Sequence, residues 1–142
     1  MKLVQHLLDT KGGDVISVDA STSVYDAIAL MAEHSIGSLL VMQGDDLQGI
    51  VTERDYARKV ILKGRSSETT PVGEVMSTAL VTATPKQTVD DCMALMTEKR
   101  IRHLPVVDSG RVIGMISIGD LVQAIISDQQ EAIEHLENYI SG

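Results

Sequence analysis

The chain has 142 residues, a formal net charge of −8 and a hydrophobic fraction of 44%, enough for one compact domain or two small packed halves and too apolar for disorder. The acidic balance argues against nucleic acid as a partner, and no apolar run reaches the ~18 residues that a membrane span needs. The single cysteine, Cys92, rules out an internal disulfide and fits a reducing compartment.

Taken in chain order, residues 1–14 predict a short helix and a turn. Leu3, Val4, Leu7 and Leu8 have helical spacing, and Gly12-Gly13 stops the helix. Val15–Val18 alternates as a strand. Ser23 and Asp26 form a Ser-x-x-Asp cap that opens a helix to about His34. Ile36–Met42 is nearly all apolar, as a strand covered on both faces would be. Gly44-Asp45-Asp46 makes a turn, Leu47–Val51 is the next strand, and Thr52 opens a helix to about Lys63. A polar linker over 64–79 includes a short helix at Val72–Met76.

The order then recurs: a strand at Leu80–Ala83, a helix from Thr88, strands at Ile101–Val107 and Val112–Ile116, and a helix from Ser117. The expected class is mixed α/β (α+β), with one β-α-β-β-α unit over 15–63 and a second over 80–126. The tail, 127–142, carries Asp128, Glu131, Glu134 and Glu137 without a lysine or arginine, and Ile133, Leu136 and Ile140 line one side of it. It reads as an acidic amphipathic helix that packs either on the chain's own core or on a second copy. With Phe and Trp absent, the core must be aliphatic. Cys92 falls on an apolar helix face beside Met96, where a buried, inert thiol is expected.

The recurrence is an internal duplication. Shifted by 65 residues, Val15–Asp55 lands without a gap on Leu80–Asp120, and 11 of the 41 pairs are identical, among them Val24/Val89, Leu39/Leu104, Gly49/Gly114 and Asp55/Asp120. One structural unit occurs twice, so a site on one copy has a counterpart on the other.

No phosphate-binding glycine loop, dinucleotide fingerprint, nucleophile elbow or zinc-protease motif occurs. The four histidines lack metal-ligand spacing, and no paired catalytic carboxylates stand out, so an enzyme is not expected. What remains is a strand-to-helix corner: Gly49-Ile-Val-Thr52-Glu-Arg-Asp55 in the first copy and Gly114-Met-Ile-Ser117-Ile-Gly-Asp120 in the second. Each corner is either an ordinary helix cap or a site whose hydroxyl, N–H groups and carboxylate grip a sugar and a phosphate. The glycine admits a second backbone or a flat ligand. Eight of the 12 basic residues fall in two stretches, Arg54–Arg65 and Lys99–Arg102, which suggests a held anion. Arg58 follows Arg54 at helical spacing, and Arg54 and Arg102, each beside a structural corner, are the best placed for phosphate.

Together with Ile101-Arg-His-Leu-Pro-Val-Val107, these corners resemble a tandem pair of CBS domains, the Bateman module, over about Val15–Ile126. They are most similar to small stand-alone CBS-pair proteins of bacteria and mitochondria. The resemblance implies two units packed through their sheets about a pseudo-twofold axis. Two clefts would then bind adenosine ligands: AMP foremost, or ADP, ATP, NAD(H) or S-adenosylmethionine.

On this resemblance Asp55 and Asp120 take the ribose hydroxyls, with Thr52 and Ser117 beside the ribose or phosphate. Adenine lies against Ile16 and Val18, or against Val81, Thr82 and Ala83. Arg102 and His103, ahead of Leu104 and Pro105, reach phosphate. So does the residue two past the corner hydroxyl, which is Arg54 in one copy but Gly119 in the other. Gly37-Ser38 stands where the second copy has Arg102-His103, so the two clefts are unequal. The function implied is a non-catalytic sensor that signals energy or redox state to a separate regulated protein, as a homodimer away from membranes and nucleic acid. The alternative is a ligand-free interaction scaffold. The compartment expected is the cytoplasm, since no secretory leader pattern is present, or the mitochondrial matrix after removal of a transit peptide.

Overall fold

The structure is a computed structural model and describes residues 2–141. Its elements follow one another as α1 (Val4–Lys11), β1 (Ser17–Val18), α2 (Val24–His34), β2 (Ser38–Gln43), β3 (Asp46–Thr52), α3 (Glu53–Asp55), α4 (Val89–Lys99), β4 (His103–Asp108), β5 (Arg111–Ser117) and α5 (Ile118–Ser141). The chain divides into two compact units. The first is Val15–Val81, and the second joins the residues up to Asp14 with those from Thr82 onward.

In the first unit β1 pairs parallel with β2, and β2 pairs antiparallel with β3. The register shifts at Val41/Met42, next to the Val41↔Gly49 pair, and the hairpin turns at Gly44, whose φ of 60° suits glycine. Helix α2 begins where the Ser23 hydroxyl accepts the Asp26 N–H, and it buries Val24, Ala27 and Met31 against Leu39, Val41 and Val51. Those six side chains are the aliphatic core that the composition requires, with α2 presenting its apolar residues at three- and four-residue spacing.

In the second unit β4 and β5 pair in the same manner, with a register shift at Val106/Val107 opposite Gly114. The strand expected at Leu80–Ala83 is reduced to a single parallel bridge, Ala83↔Val106, held by Ala83 N–H to Pro105 O and Val107 N–H to Ala83 O. The 65-residue offset makes it the counterpart of the Val18↔Val41 pair. Helices α2 and α4 both end in the left-handed conformation on residues other than glycine, Ser35 and Arg100, each at φ 55°. Cys92 is fully buried within α4, and burial, with a smaller push from the Asp91 charge, raises its thiol to about 11.

Each unit is completed by a segment that precedes the other repeat in sequence. Helix α1 belongs to the second unit, where Val4 N–H donates to Gln87 O and Gln5 N–H to Pro85 O. The segment 71–79 does the same in the first unit. There Val72 N–H donates to Thr22 O and Gly73 N–H to Ala20 O, and Val72–Glu74 forms a 3₁₀ turn. The corner glycines serve these segments. A Cβ at Gly49 would lie 2.8 Å from Ser77 O, and one at Gly114 would lie 2.5 Å from Leu8 Cδ2.

Two helices differ from expectation. The helix after Thr52 makes one α-turn and then widens over Tyr56–Ile61 into i→i+5 hydrogen bonding, ending at Ile61 rather than Lys63. The tail is not a separate helix: α5 runs without a break from Ile118 to Ser141, since no glycine or proline lies between Asp120 and Ser141 to interrupt it. Its outer residues Ile133, Leu136 and Ile140 are exposed.

Candidate functional site: two aspartate corners, each holding a lysine

The strand-to-helix turns at Thr52 and Ser117 bring most of the expected residues together within each unit. In the first, the Thr52 N–H and hydroxyl both donate to Asp55 Oδ2, at 2.9 and 3.2 Å, and the Asp55 N–H returns a bond to Thr52 Oγ1. In the second, the Ser117 N–H donates to Asp120 Oδ2 at 2.8 Å, and the Asp120 N–H donates to Ser117 Oγ at 3.1 Å. The residue just ahead of the neighbouring strand, β2 or β4, pins each turn, through Glu53 N–H to Gly37 O and Ile118 N–H to Arg102 O.

Reciprocal capping of this kind is not special to the corners. Thr88 and Asp91 make the same pair of bonds at the start of α4, and the Ser23 hydroxyl caps α2. The corners differ from those caps by an ammonium group. Lys59 Nζ lies 3.0 Å from Asp55 Oδ1 and also donates to Val75 O. Lys11 Nζ lies 2.7 Å from Asp120 Oδ2 and also donates to Met115 O. Among the described residues neither Asp26 nor Asp91 has such a partner.

Burial alone would raise the Asp120 carboxyl. The Lys11 ammonium, the Ser117 N–H and the Ser117 hydroxyl together outweigh it and hold the group below the ordinary 3.8. His103 sits opposite Ser117 in the β4–β5 pairing. Its removal from water lowers its pKa below 6.5. The Asp120 charge opposes that shift, and Lys11 and Arg102 add to it. At neutral pH His103 is therefore an uncharged imidazole next to an ion pair. Its counterpart, Ser38 opposite Thr52, is buried and cannot titrate.

The other expected residues divide by exposure. Arg54, Arg58, Arg102, Thr82 and Gly119 are exposed, and the three arginines have no ion-pair partner among the described residues. Ile16, Val18 and Val81 are partly buried, and the Ile16 carbonyl accepts Leu40 N–H. Leu104, Pro105 and Ala83 are buried, so their side chains belong to the core. Sequence reading missed Lys11, which lies 109 positions from Asp120. It counted Lys59 only as one of the basic residues of the Arg54–Arg65 stretch, although a lysine four residues after a helix-capping aspartate is a legible signal.

A sequence profile of the CBS domain matches residues 7–62 and again 72–127. The chain is 46% identical over 125 residues to the mitochondrial CBS domain-containing protein CBSX3 of Arabidopsis thaliana, covering 84% of this chain but only 61% of that relative's length. A CBS-domain protein from Burkholderia ambifaria MC40-6 superimposes with a TM-score of 0.88 at 55% identity, over 90% of this chain and 96% of that one. The CBS domain pair of protein MJ0100, solved with 5′-methylthioadenosine and S-adenosyl-L-methionine, gives a TM-score of 0.78 at 25% identity, over 90% and 98% of the two chains.

Proposed function

The chain belongs to the CBS-domain family, and from that premise we propose that it is a non-catalytic sensor that binds adenosine ligands at its two aspartate corners. The observation that carries this reading is the repeated corner: a carboxylate held by backbone N–H and ammonium groups at a helix start, once in each unit. Such a carboxylate accepts from the vicinal hydroxyls of a ribose. The exposed Arg54 and Arg58 in the first unit, and Arg102 in the second, supply charge for phosphate. Adenine lies along Ile16–Val18 or Val81–Ala83. AMP, ADP, ATP and NAD(H) share the adenosine group. The MJ0100 complex favours S-adenosylmethionine or 5′-methylthioadenosine as a second ligand class with the same group. The exposed apolar stripe of α5 serves a second copy of the chain, and the ligand signals by favouring one of two conformations that a partner protein reads.

The test exploits the lack of tryptophan. Protein absorbance near 280 nm is low, so a co-purified adenine nucleotide dominates near 260 nm and is identified by mass spectrometry after denaturation. Nucleotide-free protein is then titrated with AMP, ATP, NADH and S-adenosylmethionine in a thermal-shift assay, where binding to the folded state raises Tm. A rise with at least one of them is expected. No rise with any of them leaves the interaction scaffold as the function.

A further inference from the structure

The two corner lysines reach equivalent carboxylates from non-equivalent places. Lys59 lies on the corner helix itself, four residues after Asp55, and its counterpart in the other repeat is Ala124. Lys11 comes from the last turn of α1. In the first unit the segment equivalent to α1 is 71–79, since Val4 and Val72 make matching bonds and Leu8 and Met76 fill the space at Gly114 and Gly49. That segment contains no lysine. Each repeat thus lacks a lysine where the other has one, yet each corner has an ammonium on its aspartate and on one backbone carbonyl.

Support for the backbone does not explain this arrangement. The carbonyl of Ile50 is satisfied by the Ser77 N–H, whereas the equivalent Met115 carbonyl takes Lys11. A backbone donor does that work in one unit without any lysine. What both units retain is the ammonium beside the carboxylate.

The second corner shows what the pair offers. Lys11 spends two of its three N–H donors on Met115 O and Asp120 Oδ2, and its third N–H has no partner among the described residues. Asp120 Oδ1 likewise accepts no hydrogen bond among the described residues. Both side chains reach solvent, with 38% of Lys11 and 26% of Asp120 exposed. A free donor and a free acceptor therefore stand side by side on one ion pair. We infer that Lys11 is the second half of a vicinal-diol clamp, in which one ribose hydroxyl donates to Asp120 Oδ1 and its neighbour accepts from Lys11 Nζ.

This inference rests on the adenosine reading and adds to it a residue that sets specificity for ribose over deoxyribose. The test measures AMP and ATP, with their 2′-deoxy and 3′-deoxy analogues, by calorimetry on the full chain. Wild-type protein is expected to lose at least about tenfold in affinity for each deoxy analogue. In Lys11→Met, affinity for the parent nucleotide falls by a similar factor, and one of the two deoxy analogues then binds as well as the parent. Should Lys11→Met not fold, Lys11→Gln keeps a donor for Met115 O and is read in the same way. Discrimination unchanged in these variants overturns the clamp while leaving nucleotide binding in place. Wild-type protein that binds none of AMP, ATP, NADH and S-adenosylmethionine overturns the adenosine reading, and the clamp with it.

Discussion

The two units close the same carboxylate by different means. Asp55 is shielded from within: the Thr52 N–H and hydroxyl take one oxygen, Lys59 from the same helix takes the other, and only 12% of the side chain is exposed. Asp120 is held from a distant part of the sequence, by a lysine on α1, and keeps one oxygen open. The first corner is a self-contained local motif, while the second depends on a helix that precedes both repeats. Duplication has kept the chemistry of the site and let its supply diverge. The more open corner is the one we expect to fill first, and anything that moves α1 bears directly on it.

The largest test of this contrast is the pair of corner glycines. Alanine at Gly49 places its Cβ against the backbone carbonyl of Ser77, which is fixed by pairing with Ile50, whereas alanine at Gly114 meets the movable end of the Leu8 side chain. Overpacking costs about 1–3 kcal/mol. Gly49→Ala should lie at the upper end of that range and Gly114→Ala at the lower, measured by urea denaturation. Equal losses would mean that both segments are held alike.

A smaller effect concerns pH, and it belongs to the second unit. His103 has a lowered folded pKa, so the unfolded chain binds the extra proton. Stability should fall as pH drops from about 6.5 toward the lowered value. Asp120, held below 3.8, adds stability that is present above that pH and lost as pH falls through its own lower value. His103→Ser, which copies Ser38, should flatten the first slope and leave the second. Denaturation midpoints collected between pH 2 and pH 8 check both slopes, and an unchanged first slope would place the titrating group elsewhere.

Much of this architecture was legible because it repeats. Asp55/Asp120 and Gly49/Gly114 line up at one offset, and alternation and capping placed β2 to β5, α1 and α2 within a few residues of their observed ends and the starts of α3, α4 and α5 within one. The misses have physical causes. Leu80–Ala83 carries the pattern of a strand, but only Ala83 finds a partner on β4, so the pairing shrinks to one bridge. The widening of the helix after Asp55 leaves no mark in hydrophobic spacing. Lys11 was invisible because a contact across 109 positions depends on which sheet α1 joins, and the order of the repeats points to the wrong one. The glycines, read as room for a backbone or a ligand, make room for Ser77 in one unit and for the Leu8 side chain in the other.

The central claim is that the corner carboxylates bind the ribose of an adenosine ligand, and calorimetry on wild-type and Asp120→Ala protein tests it most directly. A charge-assisted hydrogen bond is worth about 1.5–3 kcal/mol. Asp120→Ala should therefore lose at least tenfold in affinity for whichever of AMP, ATP, NADH or S-adenosylmethionine binds the wild type, with its circular dichroism spectrum unchanged. Wild-type affinity in Asp120→Ala, with the loss appearing only in stability, would show that the corner is a helix cap and nothing more.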